Sequence, residues 1–488
     1  MPLSDFAIVI LAAGKGTRLR SQLAKVLHRA GGRPLIEHVV RACIPLGARD
    51  IFVIVGHQAD AVRAIVEPLG AKAIVQEPQG GTGHALQVAR AALTAGKAKY
   101  ALVIPGDAPL VRTETLQALA GAHRSGSAAA TLLSAVVKDP FGYGRVVRCE
   151  AGDKMADCVA AVVEEKSATE AERDIREINS SVYAFTLTPL WPCLGELQPE
   201  NAHKELYLTD CVALLNQRGQ RVHAEIAADA QEVLGCNTRA DLAEVDGIFR
   251  ERKRRTLMDS GVTIYLPQTV LIDPAVEAGA DTVIEPGVQL LGSTRIGTGC
   301  TIRSGSVLTD AVLDDRVTVR EYSIISASRL GPDTMVGPFA HIREGAELAA
   351  RARVGNFVEV KKSKIGEGVK AMHLTYLGDA TIGRESNIGA GTITCNYNGV
   401  SKNPTTVGDG VFIGSGTELV APVKVGDGAY VAAGSTITEN VPADALGIAR
   451  ARQTTKPRWA AERRAKSAEK LGANSAVKPA MKKAKKRK

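Results

Sequence analysis

A short glycine-rich loop near the start of the chain carries the first residues that could do chemistry. In LAAGKGTRL, residues 11–19, backbone N–H groups at Gly14 and Gly16 accompany the basic side chains of Lys15 and Arg18, and Lys25 follows. Amide donors combined with positive charge suit a polyphosphate. The spacing is neither GxGxxG nor GxxxxGK[ST], so it does not favour a dinucleotide-binding fold or a P-loop ATPase. On this loop alone, a plain glycine-rich turn stays open.

Two further polar features follow this loop. Gln76 precedes a second loop of small residues, 80–83, and Asp107 follows the apolar run that ends at Pro105. An aspartate at the end of a strand, beside a phosphate loop, is a natural Mg²⁺ ligand because this hard ion takes oxygen ligands and neutralises a polyphosphate. Taken by itself, Asp107 is equally consistent with a turn cap.

The elements around these loops alternate between short apolar strands and helices. We predict strands at residues 6–12, 51–55, 73–76 and 101–105, and helices at 34–43 and 83–93. Such an alternation indicates an α/β domain with a mostly parallel sheet that is covered on both faces. Ligands of these sheets bind beyond the carboxyl ends of the strands, where the glycine-rich loop falls.

The second half of the chain repeats every six residues. One phase runs through fifteen apolar or small positions from Val276 to Val360, with Val312, Thr318 and Ile324 in its middle. This hexapeptide pattern predicts a parallel β-helix in which three short strands close one triangular coil and each strand turns one side chain inward. The tight corners account for the 48 glycines of the chain.

The pattern also has an interruption. It shifts at residues 382–394, gives way to a predicted excursion at 396–404, and resumes from 407 to 437. Hexapeptide helices generally form trimers with sites between the subunits, so we expect a homotrimer. A purely structural solenoid is the alternative.

Composition and charge bound the class of protein. The chain has 488 residues, of which 45% are hydrophobic and 23% charged, without a run of 18 apolar residues or a basic segment before its apolar start. We therefore expect a cytoplasmic protein without a membrane span or signal peptide. The eight cysteines form no CxxC pair, which favours reduced, mostly buried thiols.

The net charge of +9 comes from the end of the chain. Residues 456–488 carry +11, which leaves about −2 for the rest. The folded part is therefore not expected to have a basic face for nucleic acid. This tail is poor in apolar residues and is predicted to be disordered, with weak attachment to anionic lipid or RNA as the alternative.

Seven strings give the chain a specific resemblance over about residues 6–455: LAAGKGTRL, GGTGHA, GDAPL, FGYGRVVR, GNFVEVKKS, HLTYLGDA and NIGAGTITCNYNG. The first strings resemble the sugar-phosphate nucleotidyltransferases. With the hexapeptide half attached, the chain is similar to the bacterial family of bifunctional N-acetylglucosamine-1-phosphate uridyltransferases / glucosamine-1-phosphate N-acetyltransferases. This resemblance implies an enzyme that makes UDP-N-acetylglucosamine, a cell-wall precursor, by acetylation first and uridylylation second.

The resemblance also implies the domain organisation. Residues 1–237 would form a Rossmann-like uridyltransferase domain, and 261–455 a left-handed β-helix with the N-acetyltransferase activity. Residues 238–260 between them would form a linker helix with Thr238 as its N-cap. Residues 456–488 would be the basic tail.

For the first domain, the resemblance implies attack of a sugar 1-phosphate oxygen on the α-phosphorus of UTP, with release of pyrophosphate. Arg18 and Lys25 would neutralise the transition state, and Asp107 with Asn237 would hold Mg²⁺. Uridine and the phosphates would be bound by Leu11, Ala12, Ala13, Gly14, Lys25, Gln76, Gly81 and Thr82. The amino sugar would be bound by Gly144, Glu164 and Asn179.

Several residues depart from the family pattern in this domain. Where the family has Pro, an aromatic residue and Thr-Gly, this chain has Ala24, Pro105 and Ser180-Ser181. None of these changes removes a charged or metal-binding group. We expect altered substrate packing and kinetics with activity retained.

For the second domain, the resemblance implies acetyl transfer from acetyl-CoA to the amine of glucosamine 1-phosphate. His373, in the motif AMHLTYLG, matches the general base of the family. An imidazole suits this role because it ordinarily titrates near pH 6.5, and Glu359 is predicted to orient its ring. The sugar phosphate would be bound by Arg343, Lys361, Tyr376 and Asn387. Acetyl-CoA would be bound by Ala390, Asn396, Tyr397, Ser415, Ala433 and Arg450. His341 stands where the family often has Arg.

Two other functions stay open at this point. One is a sugar-1-phosphate nucleotidyltransferase whose hexapeptide domain is purely structural, against which His373, Arg343 and Tyr376 argue. The other is a non-catalytic scaffold that binds nucleotide sugars, against which Lys25 and Asp107 argue.

Overall fold

The computed structural model describes residues 2–149, 158–199 and 204–475. The chain forms two compact units, Met1–Arg351 and Ala352–Lys488. Among the described residues, no helix combines the length and the apolar character that a membrane crossing requires.

The first unit begins with a layered α/β region. Its strands are β1 (Phe6–Ala12), β2 (Arg29–Ala30), β3 (Arg33–Pro34), β4 (Asp50–Val55), β5 (Lys72–Val75), β6 (Tyr100–Pro105), β7 (Ala130–Val136), β8 (Arg145–Arg148), β9 (Val159–Val163), β10 (Glu177–Thr186) and β11 (Val222–Ile226). Its helices are α1 (Leu35–Cys43), α2 (Ala59–Val66), α3 (Thr82–Ala95), α4 (Thr113–Gly126), α5 (Glu170–Arg173), α6 (Leu187–Glu196), α7 (Asp210–Gln217) and α8 (Arg239–Asp259). The strands and helices predicted before residue 106 are all present, with ends that differ by at most two residues.

The main sheet is mostly parallel. Its strands follow the order β11-β7-β10-β6-β1-β4-β5. β1 pairs in parallel with β4 and β6, whereas β10 is antiparallel to β6 and β7. β8 and β9 form an antiparallel hairpin next to β10. The carboxyl ends of β1, β5 and β6 therefore lie at one edge, as the sequence predicts.

Two hydrophobic clusters cover the two faces of this sheet. Along β1, Phe6, Ile8 and Ile10 pack into a cluster with α1, α2 and α4, while Ala7 and Val9 pack into another with α3, α6 and α7. Successive side chains of a strand point to opposite faces, so both faces demand apolar residues. This explains why β1 is apolar without interruption and confirms the prediction of a sheet covered on both sides.

Helix α8 follows the α/β region. Thr238 precedes it, and the Thr238 hydroxyl accepts a hydrogen bond from the backbone N–H of Asp241 at 3.1 Å. The Asp241 carboxylate accepts the backbone N–H of Thr238 in return, at 3.0 Å. This reciprocal capping box satisfies two donors that the first helical turn leaves unpaired.

Short parallel strands complete the first unit. They are β12 (Thr263–Ile264), β13 (Leu271–Ile272), β14 (Glu277–Ala278), β15 (Val283–Ile284), β16 (Gln289–Leu291), β17 (Arg295–Ile296), β18 (Thr301–Ile302), β19 (Val307–Thr309), β20 (Val312–Leu313), β21 (Thr318–Val319), β22 (Ile324–Ser326), β23 (Arg329–Leu330), β24 (Met335–Val336), β25 (His341–Ile342) and β26 (Glu347–Leu348). Each strand pairs with the third strand along, so three strands close one coil of the left-handed β-helix.

The inward-facing residues differ from the predicted single phase. Val312, Thr318 and Ile324 do not fill the coil interior, and Ile324 is 44% exposed. The buried residues of these strands are instead their neighbours Leu313, Val319 and Ile325.

Two shortened strand repeats are the reason. The large buried residues advance by five positions, not six, from Leu308 to Leu313 and again from Ile325 to Leu330. The strand register shows the same shift, since Gln289 pairs with a residue 18 positions later but Val307 with one 17 positions later. A fixed six-residue count from Val276 therefore starts on small buried residues just before the strands, such as Thr282 and Cys300. It ends on large buried residues within the strands, such as Leu330.

The second unit forms coils of the same kind. Its strands are β27 (Arg353–Lys361), β28 (Lys364–Ile365), β29 (Lys370–Gly378), β30 (Ala380–Ile382), β31 (Asn387–Ile388), β32 (Ile393–Cys395), β33 (Thr405–Val407), β34 (Phe412–Ile413), β35 (Glu418–Val420), β36 (Val423–Val425), β37 (Tyr430–Val431), β38 (Thr436–Ile437) and β39 (Leu446–Gly447). The predicted excursion lies between β32 and β33, where Tyr397 bridges to Lys402.

The tail differs from the predicted disorder. Helix α9 (Trp459–Ser475) occupies much of it, and residues 476–488 lie outside the described part of the chain. The helical segment WAAERRAKSAEKL is rich in Ala, Arg, Lys and Glu, which have high helix propensity. Its composition argues against burial in a core but not against a helix.

The prediction of reduced thiols is wrong for one pair of cysteines. Cys149 and Cys158 form a disulfide, with their Cα atoms 5.5 Å apart. They follow β8 and precede β9, so the antiparallel pairing of this hairpin brings them opposite each other. The other six cysteines are free, and all of them except Cys395 are buried.

Candidate active sites

A cavity of about 630 Å³ lies where the carboxyl ends of β1, β5 and β6 meet. The residues that the sequence analysis assigned to uridine, the phosphates and Mg²⁺ all line it: Leu11, Ala12, Ala13, Gly14, Arg18, Lys25, Gln76, Gly81, Thr82, Asp107 and Asn237. Lys15, a cation that the sequence analysis also placed in the phosphate loop, lines it too. Thr17, Gln79 and Glu205 line it as well, and sequence reasoning did not identify them. The topology of the parallel sheet therefore gathers loops that are far apart in the sequence.

The centre of this cavity is a cluster of charged and amide groups. The Lys25 ammonium forms an ion pair with Asp107 and donates a hydrogen bond to the Asn237 Oδ1 at 2.7 Å. Arg18 donates to the same Asn237 oxygen at 2.8 Å. The cluster thus holds two cations, which share the Asn237 oxygen, and one carboxylate. This leaves net positive charge for an anionic ligand.

Gly16 allows Lys25 to reach this position. Its backbone has a φ of 68°, in the left-handed region that favours glycine, and a Cβ there would lie 2.6 Å from the Cβ of Lys25. A side chain at residue 16 would displace Lys25. The glycine of the loop is therefore needed for close approach as well as for its turn.

A smaller cavity of about 170 Å³ adjoins the first. Its walls include Gly144, Glu164 and Asn179, the three residues predicted to bind the amino sugar. The two cavities share Pro105, Asp107, Ser181 and Asn237. A ligand in the small cavity would thus meet a ligand in the large one at Asp107 and Asn237.

Hydrogen bonds fix the groups in the small cavity. The Asn179 amide donates to the Tyr183 hydroxyl at 2.7 Å, and the Asn179 backbone N–H donates to the Gly144 carbonyl at 2.8 Å. A Cβ at Gly144 would lie 3.7 Å from the Glu164 carboxylate. These contacts place the three predicted sugar-binding residues side by side.

Glu164 is held in a poorly solvated environment. Burial raises the pKa of its carboxyl group, and the nearby Asp210 carboxylate raises it further, while the Thr209 hydroxyl at 3.5 Å lowers it. Burial also raises the pKa of Asp210. An acceptor with few water contacts is suited to hydroxyl groups of a sugar that displaces the remaining water.

In the second unit, His373 stands on β29 and is exposed. Its Nδ1 lies 3.1 Å from the Oδ1 of Asn356 on β27. Asn356, rather than the predicted Glu359, is therefore the hydrogen-bond partner that the structure gives to this ring. Glu359 pairs in register with Tyr376, three positions further along both strands.

Tyr376 belongs to a polar group beside these strands. Its hydroxyl accepts a hydrogen bond from the Asn396 amide at 3.4 Å, and that amide also donates to Asp379 at 2.6 Å. Lys361 ends β27, where its backbone carbonyl accepts hydrogen bonds from Ser363 at 2.9 Å and from Asp379 at 3.1 Å. Asn387 lies on β31, opposite Lys370 of β29.

The residues predicted for acetyl-CoA lie on successive coils. The Gly416 N–H donates to the Ala390 carbonyl at 2.7 Å, and the Gly434 N–H donates to the Ser415 carbonyl at 2.8 Å. One corner of the second unit therefore carries Ala390, Ser415 and Ala433 in a stack. Arg450 lies near this corner, since its Cδ is 3.9 Å from the position that a Cβ would take at Gly434. Tyr397 stands in the excursion, and its hydroxyl donates to the Gly399 carbonyl at 2.7 Å.

Arg343 and His341 belong to the first unit. His341 lies on β25, and Arg343 follows that strand with its backbone carbonyl bonded to the Ser328 hydroxyl at 2.6 Å. The Arg343 guanidinium lies 3.7 Å from the Glu344 carboxylate.

Comparison with known proteins places both halves of the chain. Residues 8–176 match the MobA-like NTP transferase domain, and residues 404–439 match the bacterial transferase hexapeptide repeats. The Bifunctional protein GlmU of Koribacter versatilis is 48% identical over 95% of this chain and 98% of its own length. GlmU of Solibacter usitatus is 49% identical over 94% and 97%, and GlmU of Anaeromyxobacter sp. strain Fw109-5 is 48% identical over 98% and 96%. The chain belongs to the GlmU family.

The departures from the family pattern in the first domain, Ala24, Pro105 and Ser180-Ser181, lie in the two cavities or next to a residue that lines them. Ala24 is buried, and its backbone N–H donates to the Gln58 side chain at 2.7 Å, a bond that the proline of the family pattern could not make. The Ser180 hydroxyl donates to the Leu133 carbonyl at 2.6 Å. Ser181 has a φ of 61° in a bulge of β10, where glycine would be unstrained, and it lines both cavities.

The GlmU family pattern assigns Mg²⁺ to Asp107 and Asn237, and their oxygens fit such an ion. Both oxygens already contact one cation, the Lys25 ammonium, so they converge on a common point. Among the described residues, no three His, Cys, Asp or Glu side chains converge on a metal position. Two protein oxygens suffice for Mg²⁺, because this ion usually keeps several waters and takes further oxygens from substrate phosphates.

One signal in the sequence could have identified Asn356. From β13 to β32, residues paired on neighbouring coils lie 17 or 18 positions apart, and Asn356 precedes His373 by 17. Sequence reasoning compared residues along the chain and chose the carboxylate of Glu359. Counting one coil back from the base would have indicated the amide instead.

Proposed function

We propose that this chain makes UDP-N-acetylglucosamine in two steps, as a bifunctional enzyme of the GlmU family. It acetylates glucosamine 1-phosphate with acetyl-CoA and then transfers UMP from UTP to N-acetylglucosamine 1-phosphate. Membership of the GlmU family supports both steps. The observation that carries the uridylyl transfer is the pair of adjoining cavities that share Asp107 and Asn237 at their junction. A nucleotide in the large cavity and a sugar phosphate in the small one would meet at that junction.

In the uridylyl transfer, a phosphate oxygen of the sugar attacks the α-phosphorus of UTP, and the bond to pyrophosphate breaks. Arg18 and Lys25 neutralise the charge of the phosphates, while Leu11–Gly14, Gln76, Gly81 and Thr82 hold the nucleotide. Gly144, Glu164 and Asn179 orient the sugar. Mg²⁺ held by Asp107 and Asn237 supplies further charge neutralisation when it is bound. Positioning and electrostatics provide most of the catalysis in such reactions.

In the acetyl transfer, the neutral amine of glucosamine 1-phosphate attacks the thioester carbon of acetyl-CoA. His373 accepts the proton that the amine loses, and the carbon–sulfur bond breaks to release CoA. Arg343 and Lys361 bind the sugar phosphate by charge-assisted hydrogen bonds, and Tyr376 and Asn387 bind the sugar hydroxyls. Acetyl-CoA is bound along the corner of Ala390, Ser415 and Ala433, with Asn396, Tyr397 and Arg450 around it.

The proposed organisation follows the sequence analysis. Residues 1–237 form the uridyltransferase domain, 238–260 the linker helix and 261–455 the acetyltransferase domain, followed by the tail at 456–488. Three copies associate into a homotrimer, because hexapeptide helices generally form trimers. Since one chain has a mass of 51.4 kDa, gel filtration should give about 150 kDa. Both reactions take place in the cytoplasm on small-molecule substrates.

A single incubation tests the proposal. The protein is mixed with glucosamine 1-phosphate, acetyl-CoA, UTP and Mg²⁺, and the sugar nucleotide is identified by mass spectrometry together with released CoA and pyrophosphate. UDP-N-acetylglucosamine is expected. Pyrophosphate release from N-acetylglucosamine 1-phosphate without CoA release would leave a nucleotidyltransferase with a structural hexapeptide domain. Neither release would leave a non-catalytic scaffold.

A further inference from the structure

We propose that Asn356 is the positioning residue of the acetyl-transfer base and holds His373 in the tautomer that can accept a proton at Nε2. This inference rests on the proposed function, because it concerns the same histidine. The predicted orienting group is the Glu359 carboxylate. The structure instead places the Asn356 amide against the ring.

The strand register brings the two residues together. β27 and β29 pair in parallel, with Asn356 opposite His373, and their side chains meet with 3.1 Å between Asn356 Oδ1 and His373 Nδ1. The His373 backbone is fixed as well, because its carbonyl accepts a hydrogen bond from the Thr375 hydroxyl at 2.7 Å. Both the ring and its backbone are therefore constrained.

The identity of the two atoms decides the tautomer. A carbonyl oxygen such as Asn356 Oδ1 can only accept a hydrogen bond, so the proton of the neutral ring must lie on Nδ1. Nε2 then carries the lone pair. The hydrogen bond that one ring nitrogen makes commonly determines that the other nitrogen is the reactive one.

The backbone turns a corner of the coil directly after each member of this pair. Phe357 has a φ of 58° and Leu374 a φ of 31°, and each directly follows one member of the pair. A Cβ at Gly355 would overlap the carbonyl oxygen of Met372. The equivalent positions of later coils, Gly391, Gly416 and Gly434, have the same left-handed backbone, so this turn belongs to the repeat. The shared corner and the strand register together fix where Asn356 and His373 lie.

An amide holds the ring without adding charge to it. A carboxylate partner would favour the imidazolium, which cannot accept a proton from the amine. The titratable and charged side chains of the two strands are Arg353, Glu359, Lys361, Lys370 and Tyr376, and the adjoining β31 and β32 add Cys395. These groups are the same in every variant below, so a change in pH dependence reports on residue 356.

Steady-state acetyl transfer by the full chain tests this role. CoA release is measured from pH 5 to 9 for the wild type, Asn356→Ala and Asn356→Asp, with Asn440→Ala as the matched control on the same unit. We expect Asn356→Ala to lower kcat by about 10- to 100-fold, the effect typical of lost supporting hydrogen bonds. The KM values for both substrates should change by less than about twofold, since an orienting group acts on the base and not on binding.

Asn356→Asp should recover part of the lost activity and move the acidic limb of the pH–rate profile upward by about 0.5 to 1 pH unit, because a carboxylate favours the charged ring. In a His373→Ala background, Asn356→Ala should have no further effect, since residues that act as one unit are not additive. Uridylyl transfer should stay unchanged in every variant and reports that the first unit is intact. Unchanged KM values and the partial recovery in Asn356→Asp report that the second unit is folded.

Three results would overturn the inference: an unchanged kcat for Asn356→Ala, an acidic limb that does not move in Asn356→Asp, or an undiminished effect of Asn356→Ala without His373. A wild type that releases no CoA would overturn the proposed acetyl transfer itself. That outcome is distinguishable, because it appears before any variant is compared.

Discussion

In the first unit the chemical groups come from loops at the edge of a sheet, whereas in the second unit they stand on the strands of a coil. The first arrangement collects residues as distant as Lys25 and Asn237 around one concave, positively charged cavity. The second arrangement places residues one coil apart, such as Asn356 and His373, side by side on an outer surface. The cavity therefore forms where loops after different strands of the sheet meet, whereas the site on the coil forms from residues at equivalent positions of neighbouring strands.

This difference has a consequence for catalysis. In the loops, the position of a side chain depends on the size of its neighbours. Gly16, for example, leaves the space that Lys25 occupies. In the coil, the strand register and the repeating corners fix where a side chain lies, as for Asn356 and His373. Changes in the two sites should therefore affect separate activities.

The largest expected effect is on acetyl transfer. His373→Ala removes the proposed base and should lower kcat for CoA release by up to about 10⁴-fold, within the range for general-base catalysis. Uridylyl transfer, measured as pyrophosphate release from N-acetylglucosamine 1-phosphate and UTP, should remain within about twofold of the wild type. An equal loss of both activities in a folded protein would contradict the separation of the sites.

The converse change acts on the loop-built site. Asp107→Ala removes a proposed Mg²⁺ ligand and the partner of Lys25, so pyrophosphate release should fall by about 10³-fold, similar to the loss of one transition-state contact. Acetyl transfer should persist, and only pyrophosphate release should require Mg²⁺. The comparison between the sites would fail if CoA release also stopped without Mg²⁺.

A smaller effect is expected at the sugar cavity. Glu164→Gln keeps the shape of the side chain but weakens the acceptor, so KM for N-acetylglucosamine 1-phosphate should rise by about tenfold, as expected for a lost charged hydrogen bond of about 1.5 kcal/mol. Steady-state kinetics at saturating UTP would measure it. An unchanged KM would remove Glu164 from the sugar site.

The same variant should alter stability in a pH-dependent way. Because burial raises the pKa of Glu164 in the folded state, the wild type loses stability as pH rises above the ordinary glutamate range, whereas glutamine does not titrate. The variant should therefore melt at a higher temperature than the wild type near pH 7.5, and the difference should vanish below about pH 4. A constant difference across this range would show that the carboxyl group is not desolvated.

The smallest effect concerns backbone strain between the two cavities. Ser181→Gly relieves a left-handed conformation and should raise the free energy of unfolding by about 1 kcal/mol. Ser127→Gly is the matched control, since Ser127 also has a positive φ, of 46°, but ends α4 away from both cavities. Urea unfolding should give a similar gain for both, whereas the KM values for sugar phosphate and UTP should change only in Ser181→Gly.

Sequence reasoning could predict the loop-built site well because its residues carry strong local signals. A strand followed by glycines, as after β1, or by aspartate, as after β6, indicates both the element and the sheet edge at which it ends. The parallel strands and the hexapeptide coils were predictable for the same reason. The alternation along β1 did not depend on knowing its partners.

Features that depend on register could not be predicted in this way. Two five-residue steps changed the inward phase around Val312 to Ile324, and no residue type marks them. The partner of His373 lies 17 residues away, so it follows from coil length and not from local sequence. The Cys149–Cys158 pair likewise required the hairpin of β8 and β9.

Complementation between two inactive variants tests the separation of the sites most directly. Asp107→Ala and His373→Ala proteins are each incubated alone, and then together, with glucosamine 1-phosphate, acetyl-CoA, UTP and Mg²⁺, and UDP-N-acetylglucosamine is quantified. We predict that neither variant alone forms it at an appreciable rate and that the mixture does, because the acetylated sugar made by one protein is uridylylated by the other. A mixture that forms no more product than the separate variants would contradict two independent sites on one chain.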